Sequence, residues 1–287
     1  MTAIYQKELK SYFNNLFGYL YIAIVLLFMG IYASIFHFNY MVTDVGYTLN
    51  QSAIAVVLVT PLLTMRIIAG ERQRKTDQLL YSLPISVSAT VIGKYLAMLT
   101  VFAVPMAVVC IYPLVFSMFG TVNFALSYGS IFAYFLMGAA LLAISMFISA
   151  LTENQIVSAI LSFLAMLVVY FSSMFTSYLP ADASSAFVVL AVAGLLLGII
   201  VFTMVKNYLF ALAVTAVCEI SISVLFIFKR SFSEGLLGEF IGGISVYERC
   251  LNFYEGMFDL TAIVYFLSVI SLFVFLTVQA VEKRRWS

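Results

Sequence analysis

Glu71, Arg72, Arg74, Lys75 and Asp77 crowd into residues 71–77 of a chain in which only 9% of residues are charged. Fixed charge at that density suits an electrostatic contact, either with water or with a complementary protein surface. Covalent chemistry is another matter. No Gly-x-x-x-x-Gly-Lys-[Ser/Thr] occurs in the sequence, so ATP binding by a P-loop is not expected of this chain. His37 is the single histidine, which rules out His-Glu-x-x-His and argues against a metal site. No Gly-x-Ser-x-Gly elbow occurs. Cys110, Cys218 and Cys250 are scattered and read as small core residues. Catalysis is therefore not expected. Glu219 stands apart, near the middle of an apolar run. A carboxyl there is costly and suggests a cavity wall or a proton relay. A hydrogen-bonded carboxyl that braces helix packing fits the position equally.

The elements that carry these residues are hydrophobic. Of 287 residues, 64% are apolar and only 9% charged, against about 25% charged in an average soluble domain. Runs of about 20 apolar residues recur, the length a helix needs to cross a bilayer. They do not alternate as the strands of a barrel would. The class is an all-α polytopic membrane protein. Net charge is +1, which points away from nucleic acid.

Along the chain, Tyr5, Leu9, Tyr12, Phe13 and Leu16 recur at helical spacing, with Gln6, Lys7, Lys10 and Asn14 on the other side. Residues 1–16 read as an amphipathic helix in the headgroup plane. Eight spans are expected, at about 17–38, 52–69, 91–119, 126–151, 156–178, 186–205, 208–228 and 260–281. The first reads as a retained span rather than a signal peptide. Pro105 and Pro113 should kink or break the third. Gly138, Ala139, Ala140 and Ala143 in the fourth permit close helix approach. Asp259 is placed to cap the last span.

An even number of spans puts both termini on one side. That side holds Lys7, Lys10, Arg66, Arg72, Arg74, Lys75, Lys94, Lys206, Lys283, Arg284 and Arg285. Only Lys229, Arg230 and Arg249 fall on the other. By the positive-inside rule both termini are cytoplasmic, in the cell membrane.

Residues 66–86 then lie in the cytoplasm. Glu71 sits three before Arg74 and four before Lys75, spacings that pair on a helix surface. Leu79, Leu80 and Leu83 make an apolar edge, Pro84 ends the element, and Ser86 or Ser88 caps the next. An ordinary basic loop is the other reading.

The run Ala69-Gly70-Glu71-Arg72-Gln73-Arg74-Lys75-Thr76-Asp77-Gln78-Leu79-Leu80-Tyr81-Ser82-Leu83-Pro84 resembles the signature of ABC-2 type exporter permeases. Phe258-Asp259-Leu260, Tyr265-Phe266-Leu267-Ser268 and Glu282-Lys283-Arg284-Arg285-Trp286 resemble their gliding-motility and copper-site-assembly branch. Two departures stand out. Lys75 occupies a place where the family usually has Gly, and 186–228 looks like a hairpin inserted into a six-span core.

The resemblance implies a single transmembrane domain acting as a permease subunit. It would pair with a second permease, identical or homologous, and with two copies of a separate ABC ATPase that binds ATP and Mg. No cofactor is expected in this chain. The coupling helix would use Glu71, Arg72, Arg74, Lys75, Thr76, Asp77, Leu79, Leu80 and Pro84. Residues 229–258 would form external interfacial pieces, and an extracytoplasmic accessory protein is a further partner. The alternative is a self-contained secondary transporter or channel, which would favour more intramembrane charge and an inverted repeat.

Overall fold

The computed structural model describes residues 1–77, 86–178, 212, 215, 216, 219 and 245–285. Two compact units are present, one comprising residues 1–170 and 246–287 and the other residues 171–245. Each is described by itself.

In the first unit, α1 (Thr2–Asn14) leads through Asn15 into α2 (Leu16–Ala33), which closes in a π-helical turn, Ser34–Asn39. Asn15 is extended, and the turn brings Gly18 so close to Tyr12 that a Cβ on Gly18 would lie 2.7 Å from the Tyr12 carbonyl oxygen. Only glycine fits there. α3 (Val45–Thr64) is followed by the short α4 (Ala69–Gln73). Next come α5 (Val87–Val109), α6 (Tyr112–Phe116), α7 (Phe124–Leu151), α8 (Gln155–Tyr178, of which residues 171–178 belong to the second unit), α9 (Glu248–Tyr254) and α10 (Leu260–Arg285). There is no strand among the described residues.

Among the described residues, six helical segments are long and apolar enough to cross a membrane: Leu16–Asn39, Val45–Gln73, Val87–Phe116, Phe124–Leu151, Gln155–Ser172 and Leu260–Arg284. The two further spans expected between 186 and 228 lie outside the described residues, apart from Leu212, Thr215, Ala216 and Glu219.

Burial follows side-chain chemistry. The second and fourth of these segments are each 78% buried, the last only 17%. The two central ones carry the groups that hydrocarbon would leave unsatisfied. Thr60 and Thr64 on α3 return hydrogen bonds to their own helix, and Thr64 also meets Ser145 of α7. Ser52 meets Tyr134. Small residues bring the helices together as expected. A Cβ on Gly138 would fall 2.3 Å from the ring of Phe102 on α5. That ring is itself stacked on Phe135 at 5.6 Å.

Several boundaries differ from the sequence reading. α3 starts at Val45 rather than near 52, because Asp44 caps it by accepting from the Gly46 amide at 2.8 Å. The helix thereby absorbs polar residues read as loop, and Thr48 and Ser52 turn inward, fully buried. α5 runs on through Pro105, whereas Pro113 marks a break and sits in the first turn of α6. Asp259 holds the expected capping position, accepting from the amides of Thr261 at 2.8 Å and Ala262 at 3.3 Å.

Candidate functional site

The charged stretch 66–77, the elbow between α3 and α5, is anchored to several helices. Leaving α3 at Met65, the chain turns into α4, and Lys75 adopts a left-handed backbone with φ 59°. That conformation ends α4 and suits glycine, the residue the related family pattern places there. The Thr76 amide and hydroxyl then both donate to the Glu71 carbonyl, at 3.0 and 3.2 Å. Asp77 is half-buried and helical. Leu79, Leu80 and Pro84 lie outside the described residues.

The expected pairing of Glu71 with Arg74 and Lys75 on one helix does not form. α4 is too short, and the turn at Lys75 carries that side chain away. Glu71 instead accepts from Lys94 at 2.7 Å and from Lys7 at 3.4 Å. Lys94 sits in the second turn of α5 at 2% exposure. Its ammonium also reaches Glu8 of α1 at 3.1 Å and the Ile67 carbonyl at 2.9 Å. Three donors meet three acceptors, so the buried charge is both paired and fully hydrogen-bonded. One side chain thus joins α1, α4, α5 and the turn after α3.

α1 is held along its length. Tyr5 shares a hydrogen bond with Thr100 of α5 at 3.0 Å, and the Tyr12 hydroxyl donates to the Leu63 carbonyl at 2.8 Å. The face that packs inward is Ile4, Glu8 and Tyr12, one residue per turn. This corrects the expected apolar face. Leu16 is exposed and Glu8 is buried, because the partner of α1 is the buried ammonium of Lys94. Burial pulls the Lys7 ammonium down, but Glu71 and Glu8 outweigh it and hold it above its ordinary value. Burial keeps Tyr12 protonated well past the usual phenol range, as a donor to Leu63 requires.

Arg72 faces inward as well. It is 7% exposed, and its guanidinium donates to the Ala150 carbonyl and, at 3.4 Å, to the Thr152 carbonyl. These are carbonyls at the C-terminal end of α7, where a cation is favoured. Gln73 accepts from the Gln155 amide at 3.3 Å, at the start of α8. Asn154 caps α8 through the Ile156 amide at 2.8 Å. Arg284, near the end of α10, pairs with Glu153. Both the elbow and the last helix therefore grip the connector 152–154.

Between α1 and the elbow lies a cleft of about 240 Å³. Lys7, Glu8, Ser11, Arg66, Arg74 and Thr76 are among its walls. Arg74 is exposed, and Arg66 lies 4.3 Å from the centroid of the Phe17 ring.

Glu219 belongs to the second unit. It is helical and half-buried, and its Oε1 is shielded with no hydrogen-bond partner among the described residues.

Sequence reasoning missed Glu8 and Lys94. The signal was present: a lysine two turns into an apolar run, and a glutamate four residues from both Ile4 and Tyr12.

No curated protein matches the chain. A family model described as ABC-2 family transporter protein matches residues 2–189. The chain belongs to that ABC-2 transporter family, which makes it the membrane-embedded permease subunit of an ABC transporter, a generally non-enzymatic component partnered by an ABC ATPase.

Proposed function

We propose that this permease is an exporter subunit of the gliding-motility and copper-site-assembly branch, driven by ATPase chains that dock against the elbow. Two copies of the ATPase, binding ATP and Mg, would sit beneath two permease chains, the second identical or homologous. Both termini would face the cytoplasm across the cell membrane. In this reading 186–228 is an added hairpin and 229–258 an external interfacial segment, facing any extracytoplasmic accessory protein.

The observation that carries the reading is the Lys94 junction. A loop that only obeyed the charge rule would hang free. This one is tied to α1 by Lys7–Glu71, to α5 by Lys94–Glu71, to α7 by Arg72 and to α8 by Gln73. A push on the exposed charges Arg74 and Lys75 reaches α1, α5, α7 and α8 without crossing a flexible link. In this scheme Arg72 and Glu71 position the elbow, while Arg74, Lys75, Thr76, Asp77, Leu79, Leu80 and Pro84 supply the docking surface. Glu219 is reserved for the pathway.

Co-expression with the ATPase encoded beside it tests the scheme. The wild-type pair should co-purify. Arg74→Glu with Lys75→Glu should lose the ATPase, or leave its turnover indifferent to the permease. A permease that binds no ATPase and transports alone would overturn the proposal in favour of a secondary transporter or channel.

A further inference from the structure

The cleft between α1 and the elbow has a charge imbalance within the chain itself. Three cations line it, Lys7, Arg66 and Arg74, and a fourth, Lys94, pairs with the carboxylates in its wall. Two carboxylates, Glu8 and Glu71, answer them, and both are already engaged by the two lysines. Arg66 and Arg74 are left over. Neither has a carboxylate or a hydrogen-bond acceptor among the described residues.

Their geometry suits one kind of ligand. The Arg66 guanidinium carbon lies 4.3 Å over the centroid of the Phe17 ring, a cation–π contact that takes none of its N–H donors to an acceptor atom. A planar fork of that kind matches the oxygens of a phosphate. Ser11 adds a hydroxyl to the same walls and Gln155 an amide side chain, while the Thr76 hydroxyl is engaged by the Glu71 carbonyl. The cleft, about 240 Å³, exceeds many times the space one water needs and has room for a phosphodiester head.

The position favours a lipid as the source. Phe17 lies at the start of α2, where the chain enters its first span. Its neighbours Leu16 and Tyr19 are 74% and 55% exposed, an apolar flank beside the cationic cleft. A basic pocket between helices at a membrane surface is a recognised arrangement for anionic headgroups.

We propose that this cleft binds the phosphate of an anionic phospholipid, with Arg66 and Arg74 as its anchors. Glu8 and Glu71 stay neutralised by Lys94 and Lys7, so the bound anion meets a net positive wall. The proposal requires the membrane setting but not the ATPase, and it is tested without nucleotide or partner.

The full chain in neutral detergent would be titrated with phosphatidylglycerol or phosphatidylcholine, and adducts counted by native mass spectrometry. Phosphatidylglycerol should bind in preference to phosphatidylcholine, and Arg66→Gln with Arg74→Gln should weaken it about tenfold or more. Lys10→Gln removes an exposed charge from α1 outside the cleft and should change little. Equal weakening by Lys10→Gln would reduce the effect to general surface charge and overturn the site. So would unaltered binding in the double arginine variant. Inorganic phosphate at millimolar concentration, competing as well as the lipid, would overturn the lipid source. Circular dichroism and melting in phosphatidylcholine confirm that each variant is folded before binding is read.

Discussion

Replacing Lys94 with methionine isolates the junction on which the coupling scheme depends. The substitution keeps the volume and removes one charge. Glu8 and Glu71 then face each other, with side chains 10% and 17% exposed and both accepting positions towards Lys94 empty. Taking one partner from a buried ion pair costs about 3–5 kcal/mol, since the remaining charge stays desolvated. Lys7 moderates this, being 3.5 Å from Glu8 and 3.4 Å from Glu71, but it is 60% exposed and screened by water. The expected loss is therefore at the lower end, about 3 kcal/mol. Adding Glu8→Gln and Glu71→Gln to the methionine variant removes the repulsion and should restore about 2 kcal/mol. Reversible unfolding of the full chain in mixed micelles, followed by far-ultraviolet circular dichroism, gives each corner of the cycle. A loss under about 1 kcal/mol for Lys94→Met, or a further loss when the two glutamates are neutralised, would show that the junction is not a buried ionic contact.

Other expectations come from single positions. Lys75→Gly relieves about 1–2 kcal/mol of left-handed backbone strain against about 0.5–1 kcal/mol of added unfolded-state entropy, so it should stabilise the chain by about 0.5–1 kcal/mol net; the same unfolding assay reads it. Gly138→Ala should destabilise by about 1–3 kcal/mol, because the added methyl meets a Phe102 ring already held against Phe135 and Tyr21. Phe102→Leu in that background should recover part of the loss. The Lys7 pKa is raised by folding, so its stabilising contribution is complete below 10.5 and fades as pH climbs above that value. The alkaline decline in melting temperature should be shallower in Lys7→Met than in wild type.

The membrane class, six of the spans and the cap at Asp259 were legible because each rests on local pattern. Run length identifies a span, and a carboxylate ahead of an apolar run identifies a start. The start of α3 was not legible, since Asn39 to Asn50 looks polar and loop-like until its hydroxyls are seen to turn inward. The elbow was recognised by composition and by resemblance, but its partners were not. Pair rules at three and four residues assume one continuous helix, and a single left-handed residue at Lys75 ended it. The pairs that do form, Lys94 with Glu8 and with Glu71, span 86 and 23 positions. A periodicity argument sees Glu8 as part of a wet face, and only the ammonium opposite explains its burial. The same holds for Arg72, which looked like surface charge and instead satisfies carbonyls at the end of α7.

The connector 152–154 has one more consequence. It is three residues long, and Arg72, Gln73 and Arg284 each hold it or the helix ends beside it. Slack in a hairpin lets two helices slide independently. Here there is none, so α7 and α8 are tied to each other at this end. Hydrogen exchange at the amides of 152–156 should then slow or quicken together, as a block, whenever the elbow is loaded.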